Sequence, residues 1–368
     1  MKITFAIPFP YLTGGIRAVF ELSNALAERG NDCLVVSPDE PFPLGKTLAG
    51  KIKRNFFALV DQTLSRGIRK SSKSNHKNRI DWFEPKFTFK EVRFLTDAYL
   101  PVSDYVIATN WRTASWVSTL DKSRGQKRYM VFDLETWDRG KFSEEEVIAT
   151  YHLIPSLVTY SDFVANELRN KANRIPAGMF TLGVNREKFF PDPMVQKSDS
   201  NIHICMMMHR KPHKGMKEGL KVLESIHNVR PKVTIVGFGS REVTDAIPSY
   251  MKFHLSPSDE ELRKIYSSSH IFLSSSKREG FNLPPMEAMA CGCAVVVTNT
   301  GAVSEYVISG ETAFIREPGD IEGLVKDIVH LIDHPNELRQ IASNSICSIK
   351  KYSWDNAARL FEEAIQNA

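Results

Sequence analysis

This sequence predicts an α/β chain of two Rossmann-like domains with parallel sheets, and three observations carry that prediction. Its 368 residues exceed what one ordinary hydrophobic core holds, so two domains are the natural division. Short β-branched runs alternate with helix-period segments throughout, the pattern of βαβ units. A polar, proline-containing stretch, NREKFFPDPMVQKSDSN from Asn185 to Asn201, breaks the rhythm near the middle, where a linker belongs. The expected division is residues 1–190, residues 191–351, and a last helix over 352–368 packing back on the first domain. Two such sheets face each other across a cleft, and ligands of open α/β sheets bind beyond the carboxyl ends of the strands.

The elements follow in order. ITFAIPF reads as the first strand, Gly14-Gly15 as a turn, and IRAVFELSNALAERG as an amphipathic helix ending at Gly30. DCLVVSP, DYVIATN, KRYMVFD and SLVTYS are the next strands. The second half offers NIHICMMM, KVTIVG, HIFLSS, CAVVVT and TAFI, with helices MKEGLKVLESIHN and DEELRKIYSS between them. Ser258 followed by Glu261 fits a capping box at the start of the latter helix. YSWDNAARLFEEAIQNA reads as the closing helix.

Composition excludes several classes. Hydrophobic residues at 42% and charged residues at 25% fit an ordinary globular protein and exclude wholesale disorder. A net charge of +5 suits anionic ligands or a membrane surface without requiring either. The five cysteines (Cys33, Cys205, Cys291, Cys293, Cys347) are odd in number and lie mostly in apolar runs. Buried free thiols in a reducing compartment explain them, and Cys291-Gly-Cys293 lacks the second pair that a zinc site needs. The amino-terminal run reads as a strand rather than a signal peptide, and no apolar run approaches the ~20 residues of a membrane span. The expected location is cytoplasmic, with peripheral contact at the inner face of the membrane as an extension. Nothing calls for a nucleic acid partner.

One insertion, about 46–80, stands out. It carries Lys46, Lys51, Lys53, Arg54, Arg66, Arg69, Lys70, Lys73, Lys77 and Arg79, with Asp61 the only acid. Leu48, Ile52, Phe56, Leu59, Val60, Leu64 and Ile68 recur at helical spacing within it. Such a helix can lie on anionic lipid or clasp a lipid-linked substrate; equally, it can be a solvated insertion whose apolar face packs on its own domain.

The chemistry concentrates in KREGFNLPPMEAMACGCAVVVTNTGAVSEYV, from Lys277 to Val307. HIFLSSS delivers the chain to Glu279 at a strand's carboxyl end, and Gly280 allows a sharp turn without a Cβ in the way. Pro284 and Pro285 lack N–H groups, which leaves Phe281, Asn282, Leu283 and Met286 as donors at the mouth of the next helix. Free donors backed by the helix dipole make a phosphate site. Glu287 falls in the expected first turn, where a carboxylate is favoured in any case, and Glu279 can be a mere loop cap. A carboxylate can also accept bidentate hydrogen bonds from vicinal sugar hydroxyls, one acid for each sugar of a nucleotide-sugar.

Glu279-GFNLPPM-Glu287 resembles the E-x7-E motif of retaining glycosyltransferases of the GT-B fold, and the chain is similar to glycosyltransferase family 4. The resemblance implies that Glu279 contacts the donor sugar, that Gly280, Phe281, Asn282 and Leu283 hold hydroxyls and phosphate, and that Glu287 binds the ribose. It further implies that Lys214-Gly215, after the strand ending in MMMHRKPHKG, neutralises the pyrophosphate. Arg210 shares that role less securely, since the family spaces these cations more widely and His209 or Lys211 can substitute. Gly14 and Gly15 match a Gly-rich loop that approaches the donor phosphate from the opposite domain. Gly237 and the stretch ending in Leu255 fall near the base pocket.

The first domain departs from the family pattern. Where relatives often place a histidine near the reacting carbon, VFDLETW offers Asp133 and Glu135, which can stabilise oxocarbenium-like charge, orient the acceptor or simply be loop acids. Trp111, Arg112, Tyr160 and Ser161 are placed to line the acceptor side. No D-x-D pair is present to hold a divalent ion against a diphosphate, so no metal or other cofactor is expected.

The activity that the resemblance implies is retaining transfer of a hexose from a nucleotide diphosphate sugar, UDP-sugar favoured, to a hydroxyl of a glycan or lipid-linked glycan in polysaccharide biosynthesis. The alternatives are a non-catalytic partner that only binds nucleotide-sugar or glycan, and a dinucleotide oxidoreductase. The latter needs G-x-G-x-x-G after the first strand, which TGGIRAV lacks.

Overall fold

A computed structural model of the chain describes residues 1–38, 80–92, 94–136, 142–198, 201–239, 243 and 247–368. The basic stretch 46–79 lies outside the described residues. The chain divides into two compact units. The first comprises Met1–Tyr160, Val164–Leu182 and Trp354–Ala368; the second comprises Ser161–Phe163 and Gly183–Ser353.

The first unit is a parallel sheet of β1 (Lys2–Ala6), β2 (Asp32–Pro38), β3 (Thr88–Val92), β4 (Tyr105–Ala108), β5 (Gln126–Val131), β6 (Leu157–Thr159) and β7 (Gly178–Met179), in the order β3-β2-β1-β4-β5-β6-β7. Its central strands are apolar on both faces because helices cover both: Phe5, Val35, Val36, Val106 and Ile107 are fully buried. Helix α1 (Gly14–Glu28) follows β1, with Thr13 as its N-cap accepting from the Ile16 N–H at 3.3 Å. α2 (Trp111–Val117) follows β4, α3 (Glu144–Ala149) follows β5, and α4 (Asp162–Ala172) follows β6.

The C-terminal helix, Trp354–Asn367, belongs to this unit. Phe361 is fully buried, with its ring 5.7 Å from Phe5 and 5.1 Å from Phe180. Burying such a ring contributes about 1.5–3 kcal/mol. The helix sits so close that a Cβ on Gly178 would lie 2.6 Å from the Ala364 carbonyl oxygen. Arg29 pairs with Asp355 and Glu362, and Arg128 Nε donates to the Ile365 carbonyl at 3.0 Å, satisfying one of the last orphan acceptors.

The second unit is a parallel sheet of β8 (His203–Met207), β9 (Thr234–Gly239), β10 (Met251–Leu255), β11 (Ile271–Ser274), β12 (Ala294–Thr298) and β13 (Ala313–Arg316), ordered β10-β9-β8-β11-β12-β13. Its helices are α5 (Met216–Val229), α6 (Asp259–Ser268), α7 (Leu283–Ala290), α8 (Val303–Tyr306), α9 (Ile321–Asp333) and α10 (Pro335–Ser348). Ile204, Leu223, Ile226, Ile271, Val296, Ile328 and Leu331 form the centre of its core. The capping box of α6 is present, with Ser258 and Glu261 bonded in both directions.

The structure differs from the sequence reading in four places. Gly14 and Gly15 are the first two residues of α1 rather than the turn before it. Residues 185–198 are packed onto the second unit instead of running free: Phe189 is 1% exposed, and Asp192 accepts from the Met194 N–H and from Arg263. Strands β3, β7 and β10 were not anticipated; each pairs on one side only, so none needs the continuous apolar run of a central strand. Cys347 is exposed, whereas the other four cysteines are buried free thiols. Burial raises the Cys33 thiol to about 12, so it stays protonated and serves as a small apolar filler.

Candidate functional site

In the second unit the strand order reverses between β8 and β11, which makes their carboxyl ends the topological switch point of the sheet. The loop after β8 ends in a single 3-10 turn, Pro212–Lys214, closed by Gly215 in the left-handed region at φ 64°. Glycine is required there twice over. L-residues avoid that conformation, and a Cβ would lie 1.8 Å from the Ser275 carbonyl oxygen. The loop after β11 is stitched to this turn by its backbone: the His213 carbonyl accepts from the Lys277 N–H at 2.7 Å and the Arg278 N–H at 3.2 Å. Ser275 Oγ donates to the Gly215 carbonyl at 2.8 Å.

This stitching brings Lys214 Nζ to 2.6 Å from Glu279 Oε2. Glu279 is 7% exposed, and its Oε1 accepts from Ser276 Oγ at 2.7 Å. These two contacts compensate both oxygens for the water that burial removes. The ammonium has three donors, and among the described residues only Glu279 takes one of them, which leaves two for an anion.

α7 starts immediately beyond. Asn282 is its N-cap in the left-handed region at φ 69°, with Nδ2 donating to Ser274 Oγ at 3.2 Å. Leu283 is the first helical residue, and Pro284 and Pro285 follow without N–H groups. The Leu283 N–H has no hydrogen-bond partner among the described residues. Gly280 accepts from the Ala302 N–H at 3.0 Å through its carbonyl, and Phe281 is buried. Glu287 is the fifth residue of α7, one turn further in than its expected place. Its dipole role is weak there, since that effect fades within the first turn. It is 9% exposed, and the Tyr266 hydroxyl lies 3.4 Å from its Oε2.

The remaining expected donor residues are more scattered. Arg210 is exposed in the loop after β8 and has no hydrogen bond or ion pair among the described residues. Gly237 lies inside β9, where a Cβ would meet the sulfurs of Met208 and Met251 at 2.7 Å, so packing alone accounts for glycine. Leu255 ends the edge strand β10 and is 54% exposed.

In the first unit the switch point lies between β1 and β4. Gly14 and Gly15 open α1 beside it, and a Cβ on either would meet nothing within 4 Å among the described residues. Asp133 is buried, its Oδ1 accepting from the Leu134 N–H at 2.7 Å. Glu135 adopts φ 41° and gives its oxygens to the start of α2, accepting from Asn110 Nδ2 at 2.7 Å and the Trp111 N–H at 3.1 Å. Arg112 lies over the Trp111 ring at 4.4 Å, and Trp111 itself is buried. Tyr160 and Ser161 are buried, with the Tyr160 hydroxyl donating to the Phe132 carbonyl. Tyr129 and Tyr151 stack at 5.3 Å beneath this loop, and the Tyr151 hydroxyl donates to the Asp133 carbonyl at 3.1 Å. Burial, then Glu135, raises the Tyr129 phenol; burial, then Tyr129 and Glu135, raises Tyr151.

Sequence reasoning missed Ser276, Tyr266 and Tyr306 at the second unit's site. The serine run at the end of HIFLSSS was the visible signal for the first. The two tyrosines carried none, because an isolated tyrosine reads as core.

With two Rossmann-like parallel-sheet units, the architecture is GT-B. Residues 194–346 match the family model described as glycosyl transferases group 1. Over 99% of its length the chain superposes on sucrose-phosphate synthase of Thermosynechococcus elongatus, covering 98% of that chain, with a TM-score of 0.73 and 14% identity. At that identity the likeness is one of fold. In sequence, the chain is 36% identical over 114 residues to MMP alpha-(1->4)-mannosyltransferase of Mycolicibacterium hassiacum, 29% of this chain and 28% of that one. It is 23% identical over 245 residues to O-antigen chain mannosyltransferase B of Escherichia coli, 60% of this chain and 62% of that one. The chain thus spans less than two thirds of the length of these curated relatives. No helix of the described residues is long and apolar enough to cross a membrane.

Proposed function

We propose that this protein transfers a hexose from a nucleotide diphosphate sugar to a hydroxyl of a glycan or lipid-linked glycan, in polysaccharide or lipopolysaccharide assembly. The observation that carries the reading is the Lys214–Glu279 contact at the second unit's switch point, 2.6 Å across, together with a Leu283 N–H at the start of α7 that has no hydrogen-bond partner among the described residues. Lys214 and Leu283 N–H meet the pyrophosphate, with Arg210 as an outlying cation; Glu279 and Asn282 take the hexose hydroxyls, and Glu287 takes the ribose. The glycosyl transferases group 1 match over 194–346 and the mannosyltransferase relatives support the class of donor.

Transfer proceeds with retention. The bond from the anomeric carbon to the phosphate oxygen breaks, and the acceptor oxygen bonds to that carbon on the same face. The acceptor's proton passes to the leaving phosphate oxygen, and Lys214 offsets the negative charge that grows there. The diphosphate's charge is met by protein cations and helix donors, so the reaction is metal-independent. The two glycines open α1 at its first two positions. Neither packing nor a positive φ requires them among the described residues, which supports a close approach of ligand to that backbone.

Incubation with UDP-glucose and GDP-mannose, with and without EDTA, tests the reading by release of free nucleoside diphosphate. Slow hydrolysis of at least one donor, unchanged by EDTA, is expected. No binding and no turnover with any nucleotide-sugar would sink the proposal; binding without turnover would leave the non-catalytic alternative; EDTA sensitivity would sink the metal-independent part.

A further inference from the structure

We infer that Tyr306 is a positioning residue for the donor site, acting through the peptide that joins Asn282 to Leu283. This rests on the reading of Glu279–Glu287 as the donor loop. Of the first three positions of α7, two are proline, so Leu283 alone carries an N–H. That N–H shares its peptide plane with the Asn282 carbonyl, and in a trans peptide the two point in opposite directions. The Tyr306 hydroxyl donates to the Asn282 carbonyl at 2.9 Å. Holding the carbonyl end of the plane therefore aims the N–H end.

The tyrosine is itself well placed for this task. It is 3% exposed, and its ring lies 5.4 Å from the Phe281 ring, so ring and hydroxyl grip neighbouring residues of one loop. Burial, then Glu279, raises its phenol well above the ordinary range, so the hydroxyl stays protonated and can only donate to a carbonyl. The segment before it adds a second clamp. The Ala302 N–H donates to the Gly280 carbonyl at 3.0 Å, and Gly301 at φ 61° has no room for a Cβ, which would lie 2.4 Å from that same oxygen.

Asn282 makes this support necessary. A residue with a Cβ in the left-handed region is strained, and such strain persists only where the surroundings over-determine it. Here the side chain is tied to Ser274 and the carbonyl to Tyr306. Removing the hydroxyl frees the peptide to rotate, and the Leu283 N–H loses its aim.

The test is calorimetric titration of UDP-glucose and GDP-mannose into wild type, Tyr306→Phe and Tyr352→Phe, with melting temperatures alongside. Tyr352 is the control: its ring lies 6.4 Å from Tyr306, but its hydroxyl donates to the Glu305 carbonyl at 2.8 Å and not to the donor loop. The expected result is a donor Kd about tenfold weaker in Tyr306→Phe, with Tyr352→Phe at wild-type affinity. A Tyr306→Phe protein that melts lower but binds donor like wild type overturns the inference and leaves the donor site standing. A wild type that binds neither nucleotide-sugar overturns the donor-site reading and the inference with it.

Discussion

At the second unit's switch point, between β8 and β11, a cation and a buried carboxylate meet at 2.6 Å and leave ammonium donors to spare. At the first unit's switch point, between β1 and β4, the nearby carboxylate of Glu135 is committed to Asn110 and the start of α2. The two sheets follow the same winding rule, yet one end presents chemistry and the other consumes it in holding a helix. A motif acid is therefore worth only what its neighbours leave free. Glu279 is reached by Lys214 and Ser276 side chains that a ligand can join. Glu135 is held by the Asn110 side chain and the Trp111 N–H, both of which belong to the start of α2.

The largest expected break of this comparison is Lys214→Ala, which removes the cation and leaves Glu279 buried beside it. Donor turnover should fall about 100-fold or more, read as initial rates at saturating donor. A loss under tenfold would place the phosphate elsewhere. Gly215→Ala attacks the same contact from the backbone. The new Cβ collides with the Ser275 carbonyl at a left-handed φ, so melting should drop by about 5–10 °C with activity falling too. An unchanged melt would show that the two loops are less tightly stitched than the hydrogen bonds imply.

Glu135→Gln sharpens the other side. The capping contact weakens, with about 1 kcal/mol of stability lost, while turnover stays within about threefold of wild type. A 100-fold fall in rate with an unchanged melt would make Glu135 a catalytic acid and erase the contrast between the two ends. Arg210→Ala should be milder than Lys214→Ala, a loss of about threefold, because an exposed cation acts through water.

The smallest effect concerns stability. The Met194 N–H first, then Arg263, hold Asp192 below its ordinary carboxylate range. A depressed folded-state pKa contributes stability above the unfolded value that is lost as pH falls through the folded one. Asp192→Asn should thus melt lower than wild type at neutral pH, with the gap closing in strong acid. A gap that persists there would assign the effect to packing.

Much of the fold was legible because central parallel strands are buried on both faces and read as apolar runs; CAVVVT and HIFLSS are examples. The edge strand MKFHL was not legible, since one-sided pairing tolerates lysine and histidine. Of the site, the acids and Lys214 stood out because charge beside glycine and proline at a strand's end is unusual. Tyr306 did not, because its role depends on a contact across 24 residues of chain. The fate of Glu135 was equally hidden: no spacing rule shows that an acid will cap a helix that begins 24 residues earlier.

The most direct test separates the two acids by ligand. Titrations of free nucleoside diphosphate and of the matching nucleotide-sugar are compared in wild type, Glu279→Gln and Glu287→Gln. If Glu287 holds the ribose and Glu279 the hexose, Glu287→Gln weakens both ligands about tenfold or more, whereas Glu279→Gln weakens only the nucleotide-sugar. Equal losses for both ligands in both variants, or no loss in either, would contradict the assignment of one acid to each sugar.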